Sequence, residues 1–560
     1  MGFFIDFNSL NDIIYLKGGA FMAKKYDRLG VMIDMSRNAV MNLTALKEYL
    51  RLLKKMGYNS VMLYTEDTYE VEDEPFFGYM RGRYSIAEMQ ELDEFANNIG
   101  VELIPCIQTL AHLNQALRWG SIPVDCNDIM LVDDDRVYQL IDRMFSTLKK
   151  CFKSPYIHIG MDEAHMVGRG KYMDLHGYED TFSILKRHLG KVCEIAKKYD
   201  FVPLIWSDMF FRPWNNGAYC MINGRHEMPQ GFKDAINPDV IPVYWDYYSD
   251  KVEHYDDMFY NHKDFKQKTW FAGGIWGWHG FTPFNEYSIK NSVPAVESCK
   301  KNKIKNIFFT MWGDDGGECS NLATLPALFY VAEYAKGNYD EEKIKLKFKR
   351  LTGIDYDDFM LLDKPNQIDM DTTSKNPPNP VKYMFYSDYM SDFLDVTVRD
   401  NVNSQEYYKD LAEKLYAVAK RSRRYGYLFD SAAKMCEVMQ YKYELGKKTR
   451  AAYENGDKAE LERLAKNDYV LVARNMKKFG AAFEKQWYKE NKPQGFDVQD
   501  HRIGGMIYRT DACRKRILDY VAGKIDAIPE YEEKLISAYG NQPLSLSQYK
   551  VYGTVNVITH

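Results

Sequence analysis

Disulfide-forming cysteine pairs are what the chain conspicuously lacks: its nine cysteines are scattered, odd in number and without one C-x-x-C spacing. Neither a disulfide framework nor a cysteine-bound metal is expected, and the thiols read as reduced. No apolar run approaches the ~18 residues that a spanning helix needs. The opening stretch "MGFFIDFNSLNDIIYLKGGAF" has no basic start, no long apolar centre and no small-residue cleavage site, so no signal peptide is expected. The expectation is a cytoplasmic protein with no membrane partner. Positive charge is not in excess either. Against 79 Asp and Glu stand 74 Lys and Arg, a formal net charge of -5, which argues against nucleic acid as a partner.

Aromatic residues are plentiful instead. Tyr 43, Phe 30 and Trp 9 make 15% of the 560 residues. Most must be core, but in an enzyme some can form the stacking walls of a sugar site. From about residue 28 to residue 337, short β-rich apolar runs alternate with amphipathic helical stretches. The runs fall at 29–34, 60–64, 101–107, 156–160, 202–207, 240–245, 270–276 and 306–312. Between them lie segments such as "LTALKEYLRLLKKMG", "SIAEMQELDEFANNIG" and "DDRVYQLIDRMFSTLKK", with Gly57 and Gly100 as stops. Eight strands with eight crossovers predict an α/β fold, a (β/α)8 TIM barrel. A doubly wound open sheet is the runner-up, but the first run is followed by "DMSRNAV", not by a glycine-rich phosphate turn. The chain divides into a short N-terminal segment (1–25), the catalytic barrel (26–340), a connecting segment (341–400) containing the Pro/Asn/Ser-rich "DTTSKNPPNPVKY", and a mainly α-helical C-terminal domain (401–560).

In a barrel, the residues just past each strand share one mouth. Here they are Arg37 in "DMSRN", Glu66 and Asp67 in "TEDTYE", His112 in "QTLAHL", Asp162 and Glu163 in "YIHIGMDEAH", Trp206 with Asp208, "YWDYY", Trp276 and Trp278 in "IWGWHG", and Trp312, Asp314 and Asp315 in "MWGDDGGE". Carboxylates, an arginine, a histidine and a ring of aromatics suit a pyranose, whose C-H faces stack and whose hydroxyls take charged partners. His158, inside its strand, reads as a core histidine. Arg37 reads equally as a clamp on Asp34 and as a ligand group. Adjacent carboxylates on one turn are poorly placed to face each other ~5 Å apart across a sugar, as an ordinary retaining pair must. A substrate carrying its own nucleophile, such as a 2-acetamido group, would release one of them to orient it while the other protonates the leaving oxygen.

"HIGMDEAH" resembles the H-x-G-x-D-E signature of glycoside hydrolase family 20, the β-N-acetylhexosaminidases, in its intracellular bacterial branch. "DMSRN", "YTEDTYE", "QTLAHLNQALRW" and "MWGDD" resemble that family's first-, second-, third- and last-strand elements. The resemblance implies a barrel hydrolysing terminal, non-reducing β-linked N-acetylglucosamine or N-acetylgalactosamine by substrate-assisted, retaining catalysis. Carried over, Glu163 is the acid/base and Asp162 the acceptor of the acetamide N-H. His112, with Glu66 or Asp67, tunes Glu163. Trp206, Trp276, Trp278 and Trp312 wall the pocket, and Asp314 and Arg37 bind hydroxyls. Tyr247 stands in for the tyrosine that donates to the acetamide oxygen. No cofactor and no metal are implied, the partner is the small carbohydrate substrate, and a homodimer is open to it. The alternatives are a metal-dependent barrel hydrolase using His112, His158 and Asp162, and an inactive sugar-binding barrel.

Overall fold

A computed structural model describes residues 26–219, 224–234, 236–368, 377–394, 403–536 and 548–556. The expected segment 1–25, Cys220 and residues 371–376 of the Pro/Asn/Ser-rich stretch lie outside the described residues. Eight strands form the core: β1 (Arg28–Asp34), β2 (Ser60–Tyr64), β3 (Glu102–Cys106), β4 (Tyr156–His158), β5 (Val202–Trp206), β6 (Ile241–Trp245), β7 (Trp270–Gly274) and β8 (Asn306–Met311). Each pairs in parallel with the next and β1 closes on β8, giving a closed barrel. Strands buried on both faces explain why these runs are almost wholly apolar instead of alternating.

The crossovers form where the apolar period is helical. The helix Leu43–Met56 starts with the Asn42 side chain accepting from the Ala45 N–H and stops at Gly57, whose φ of 103° is left-handed. Its stripe Leu46, Tyr49, Leu50, Leu53 and Met56 is buried against the barrel. The helix Ile86–Asn98 begins with a reciprocal Ser85–Glu88 capping box. Two connections depart from the regular pattern, and the one between β3 and β4 does so by an inserted antiparallel pair, Val124–Cys126 with Ile129–Met130. Between β5 and β6 the described residues hold only short turns and the helix Gln230–Lys233, since "RPWNNG" breaks any longer one.

Beyond the barrel, helices Glu341–Thr352 and Pro380–Tyr386 lead into a bundle whose longest members are Ser404–Arg421, Gly426–Lys442, Asp468–Glu490 and Phe496–Val521. This bundle docks on the mouth side. Met41 bridges to Asn491, and the Lys492 N–H donates to the Val40 carbonyl at 2.7 Å. Arg502 reaches Asp315 at 3.0 Å and Glu318 at 3.1 Å, and the fully buried Lys382 reaches Glu318 at 2.7 Å and Asp315 at 3.0 Å. Both cations therefore grip the loop that follows β8.

Gly30 sits where β1 passes β2 and β8. A Cβ there would lie 2.3 Å from Cε1 of Phe308 and 2.8 Å from the Ser60 carbonyl. Gly504, inside the last long helix, would meet nothing within 4 Å. Gly30→Val should destabilise the protein by about 1–3 kcal/mol or more through overpacking, whereas Gly504→Ala should raise stability by about 0.5–1 kcal/mol. Thermal melts of the two variants would contradict this packing if their order were reversed.

Candidate active site

The strand ends meet at one mouth, where a cavity of about 120 Å3 is lined by Arg37, His112, Asp162, Glu163, Trp206, Trp245, Tyr247, Tyr248, Trp278, Trp312 and Asp314. Its acids come from the turn after β4. Gly160 (φ 72°) and Met161 (φ 68°) leave the strand in left-handed conformation, and a side chain on Gly160 would collide with Gln108, 2.0 Å away. That turn separates the two carboxylates. Asp162 points inward, where one oxygen accepts from Gln108 Nε2 at 2.8 Å and the other lies 3.3 Å from His112 Nε2. Glu163, itself at φ 53°, keeps its side chain nearly half exposed, 4.0 Å from the same His112 nitrogen and 3.5 Å from Arg212 Nη2. Its backbone N–H donates to Asp208 at 3.1 Å, and Arg212 Nε donates to that same Asp208 oxygen at 3.0 Å.

These contacts fix charge states. Burial opposes ionisation of both Asp162 and His112, but their mutual attraction outweighs it: the carboxyl is held below its usual range and the imidazole above its own. The result is a carboxylate and imidazolium at the cavity wall. Burial also lifts Asp314 to about 6, with Arg37 pulling the other way. Asp208 rises to about 6 through burial and the charge of Asp162. Burial pushes the Tyr247 phenol far up, leaving it a neutral donor.

Arg37 clamps Asp34 and also stands in the cavity wall. It lies 3.2 Å from Asp34, 3.2 Å from Glu66 and 3.9 Å from Asp314, and it lines the cavity. Arg28, by contrast, opens β1 at the opposite end of the barrel, 2.7 Å from Glu102. His158 is fully buried in the barrel, its Nδ1 accepting from the Gly160 N–H at 3.1 Å, and burial lowers it to about 3.

Three expected site residues stand elsewhere. Asp67 is buried away from the cavity, paired with Arg81 at 3.2 Å, because the β2 turn directs it toward the loop that carries that arginine. Glu66 accepts from Tyr64 at 2.9 Å and supports Arg37 from behind, outside the cavity lining. Trp276 is fully buried behind Trp278, stacked at 4.2 Å, with its Nε1 donating to the Tyr247 carbonyl at 3.0 Å. It backs the wall without forming it. The sequence reading missed Arg212, and it gave no role of their own to Gln108 in "QTLAHL" or to Trp245 and Tyr248 in "YWDYY". Gln108 and Trp245 carry the same strand-end signal as the others, at the end of β3 and β6, whereas Arg212 lies six residues past β5 and has none. Among the described residues, no group of three or more His, Cys, Asp or Glu is arranged to hold a metal ion.

The sequence profile of the glycoside hydrolase 20C C-terminal domain matches residues 357–549, the helices that grip the β8 loop. The family resemblance is to glycoside hydrolase family 20, and this match covers about a third of the chain. Human hexosaminidase D is 24% identical over 354 residues, which cover 58% of this chain and 68% of that protein. Two solved structures are similar in part, the first described as a family 20 enzyme. A Vibrio harveyi exo-β-N-acetylglucosaminidase in complex with N-acetylglucosamine is 14% identical, with TM-score 0.44 over 59% of this chain and 58% of its own. A Streptomyces plicatus N-acetyl-β-hexosaminidase is 17% identical, with TM-score 0.44 over 59% of this chain and 69% of its own. The chain thus spans less than two thirds of the Vibrio protein's length. No helix among the described residues is long and apolar enough to cross a membrane.

Glu66 offers a pH test of the scaffold behind Arg37. Burial, opposed by the charge of Arg37, raises it from 4.5 to about 7. A raised carboxyl means that folding favours the protonated form. Its contribution to stability is complete below the unfolded value and is lost as pH climbs through the folded one. Glu66→Gln cannot ionise, so its melting temperature should gain on the parent's between pH 5 and pH 8. A difference that stays constant across that range would show that Glu66 titrates normally.

Proposed function

We propose that the protein is an exo-acting β-N-acetylhexosaminidase that removes terminal, non-reducing β-linked N-acetylglucosamine or N-acetylgalactosamine by substrate-assisted, retaining catalysis. The observation that carries this reading is Asp162, an anion held at a tryptophan-walled cavity by Gln108 and His112, with Glu163 beside it on the same turn instead of across the cavity. Two acids on one turn are poorly placed as a facing proton donor and nucleophile, and Asp314, the third carboxylate of the lining, is assigned here to a hydroxyl, so this reading leaves no enzymic nucleophile. The substrate has to supply it. A cavity of about 120 Å3 suits a single terminal ring and not a run of sugars. Human hexosaminidase D, similar over 354 residues, agrees by its name.

In this mechanism Trp206, Trp278 and Trp312 hold the ring and the acetamide methyl, while Asp314 and Arg37 take hydroxyls. The acetamide oxygen attacks the anomeric carbon as the glycosidic bond breaks, and Glu163 gives its proton to the departing oxygen. Asp162 accepts the acetamide N–H and balances the positive charge that develops on the oxazolinium ring. Tyr247 donates to the acetamide oxygen. Water then attacks the same carbon from the vacated face, Glu163 takes its proton, and the configuration is retained. The imidazolium of His112 keeps Asp162 ionised throughout. The eight described cysteines are all free, which supports a cytoplasmic location.

General acid catalysis is typically worth 10²- to 10⁴-fold. Glu163→Gln should lose about that much on N-acetylglucosaminides with poor leaving groups and far less on activated aryl glycosides, where little protonation is needed. Equal losses on both would remove Glu163 from the acid role.

Asp162→Asn should melt within a few degrees of the parent while turnover falls, because a neutral amide does not balance the oxazolinium. A glucoside with a 2-hydroxyl should react very slowly with the parent enzyme, and a thiazoline analogue of the intermediate should bind tightly. Mass spectrometry after incubation with a 2-fluoro glycoside checks the nucleophile: a trapped ester on any carboxylate, with good hydrolysis of plain glucosides, would overturn the substrate-assisted route.

A further inference from the structure

Next to the sugar cavity, and sharing Arg37 and His112 with it, runs a wider groove of about 290 Å3. Its walls come from the loops after β2 and β3, which supply Arg81, Asn114, Gln115 and Asp128, from the loops after β1 and β8, which supply Asn38 and Asp315, and from the helical domain, which supplies Arg502. The arginines in this groove are already paired within the protein, and its remaining carboxylate, Asp128, accepts from the His112 backbone N–H at 3.0 Å. Arg81 pairs with Asp67, Arg502 with Asp315 and Glu318, and Arg37 with Asp34 and Glu66. A groove with no spare cation does not select an anion; its amide groups and paired ions offer hydrogen bonds to a neutral, hydroxyl-rich ligand.

The same two loops then carry large aromatic rings into solvent. Trp119, 40% exposed, stacks on Phe76, 49% exposed, with centroids 5.6 Å apart and planes 27° from parallel; Tyr79, 42% exposed, closes on Trp119 edge-on at 5.6 Å. The platform is continuous with the groove wall. Gln115 accepts from Arg118 at 3.2 Å, and the Arg118 guanidinium lies 5.6 Å from the Trp119 ring centroid. From the other loop, Tyr79 stands two residues before Arg81. Three exposed, mutually packed rings beside a polar groove without a spare cation form a surface that stacks on the C-H face of a sugar and costs little to hold rigid.

We propose that the groove and the Phe76–Tyr79–Trp119 platform form a binding subsite for the sugars on the reducing side of the cleaved bond, so that the preferred substrate is a neutral oligosaccharide and not a lone glycoside. This rests on the hexosaminidase reading and adds the class of leaving group. The substrate enters with its terminal ring in the tryptophan cavity, its glycosidic oxygen near Glu163 and His112, and the following units along the groove toward Trp119.

The test compares the full-length parent, Trp119→Ala and Trp119→Phe on an aryl N-acetylglucosaminide and on β-1,4-linked N-acetylglucosamine oligomers of two to five units. For Trp119→Ala, kcat/KM should drop about 3- to 10-fold on the longer oligomers, chiefly through KM, with the aryl substrate unchanged; Trp119→Phe should recover most of the loss. Loss of both substrates in equal proportion, or an identical length dependence in parent and variant, would overturn the subsite. Sedimentation velocity, run alongside, covers the other occupant of an aromatic patch. If Trp119→Ala breaks a dimer and leaves the length dependence intact, the platform is an interface between copies and the proposal falls. The aryl substrate keeps the two readings apart: a parent enzyme active on it but indifferent to oligomer length contradicts only the subsite, and a parent inactive on every N-acetylglucosaminide contradicts the hexosaminidase reading and the subsite with it.

Discussion

The site is organised around a buried negative charge. Asp162 lies at the wall of a cavity whose other surfaces are mostly indole and phenol rings, and such surroundings push a lone carboxyl toward its neutral form. The His112 imidazolium and the Gln108 amide, each committed to a different carboxylate oxygen, keep it charged together with a backbone hydrogen bond at Asp162 itself. Gln108 in turn donates to the Tyr64 hydroxyl, which donates to Glu66, which meets Arg37. The charge state of one acid is therefore spread through three strand-end loops. Each loop must be placed by the barrel before the charge can be stable.

The backbone shows where that placement is forced. Glu66, His112, Met161, Glu163 and Asp315 all adopt left-handed φ values between 44° and 68°, and all five follow barrel strands at the mouth. Such conformations cost a non-glycine residue about 1–3 kcal/mol and persist only when the surroundings over-determine them. The closed sheet beneath supplies that constraint. From above, the helical domain adds its own: Arg502 and Lys382 hold Asp315 and Glu318 on the loop that carries Trp312 and Asp314. The C-terminal helices are thus a brace for the mouth and not a free appendage, and Arg502 also lines the groove beside it.

Much of this was written in local sequence. The eight strands follow the apolar runs to within one or two residues at most ends, because a strand buried on both faces must be apolar throughout. The runs expected to reach residues 160 and 276 stop at His158 and Gly274, where the chain turns to aim functional side chains. The caps at Asn42 and Ser85 and the stop at Gly57 are nearest-neighbour chemistry and needed no tertiary information.

The sequence by itself determined the barrel, the mouth at which functional residues gather, and the adjacency of Asp162 and Glu163, since strand period, strand-end position and chain neighbours are local properties. Only the tertiary structure decided which strand-end residues share the cavity. Asp67 and Trp276 follow the same one-dimensional rule as Glu163 and Trp278, yet one is turned to Arg81 and the other packs behind its neighbour. Arg212 enters with no signal at all, carried in by a short turn. The direction a side chain takes after a strand ends depends on the turn beneath it and on what already occupies the space, and both are set by residues distant in the chain.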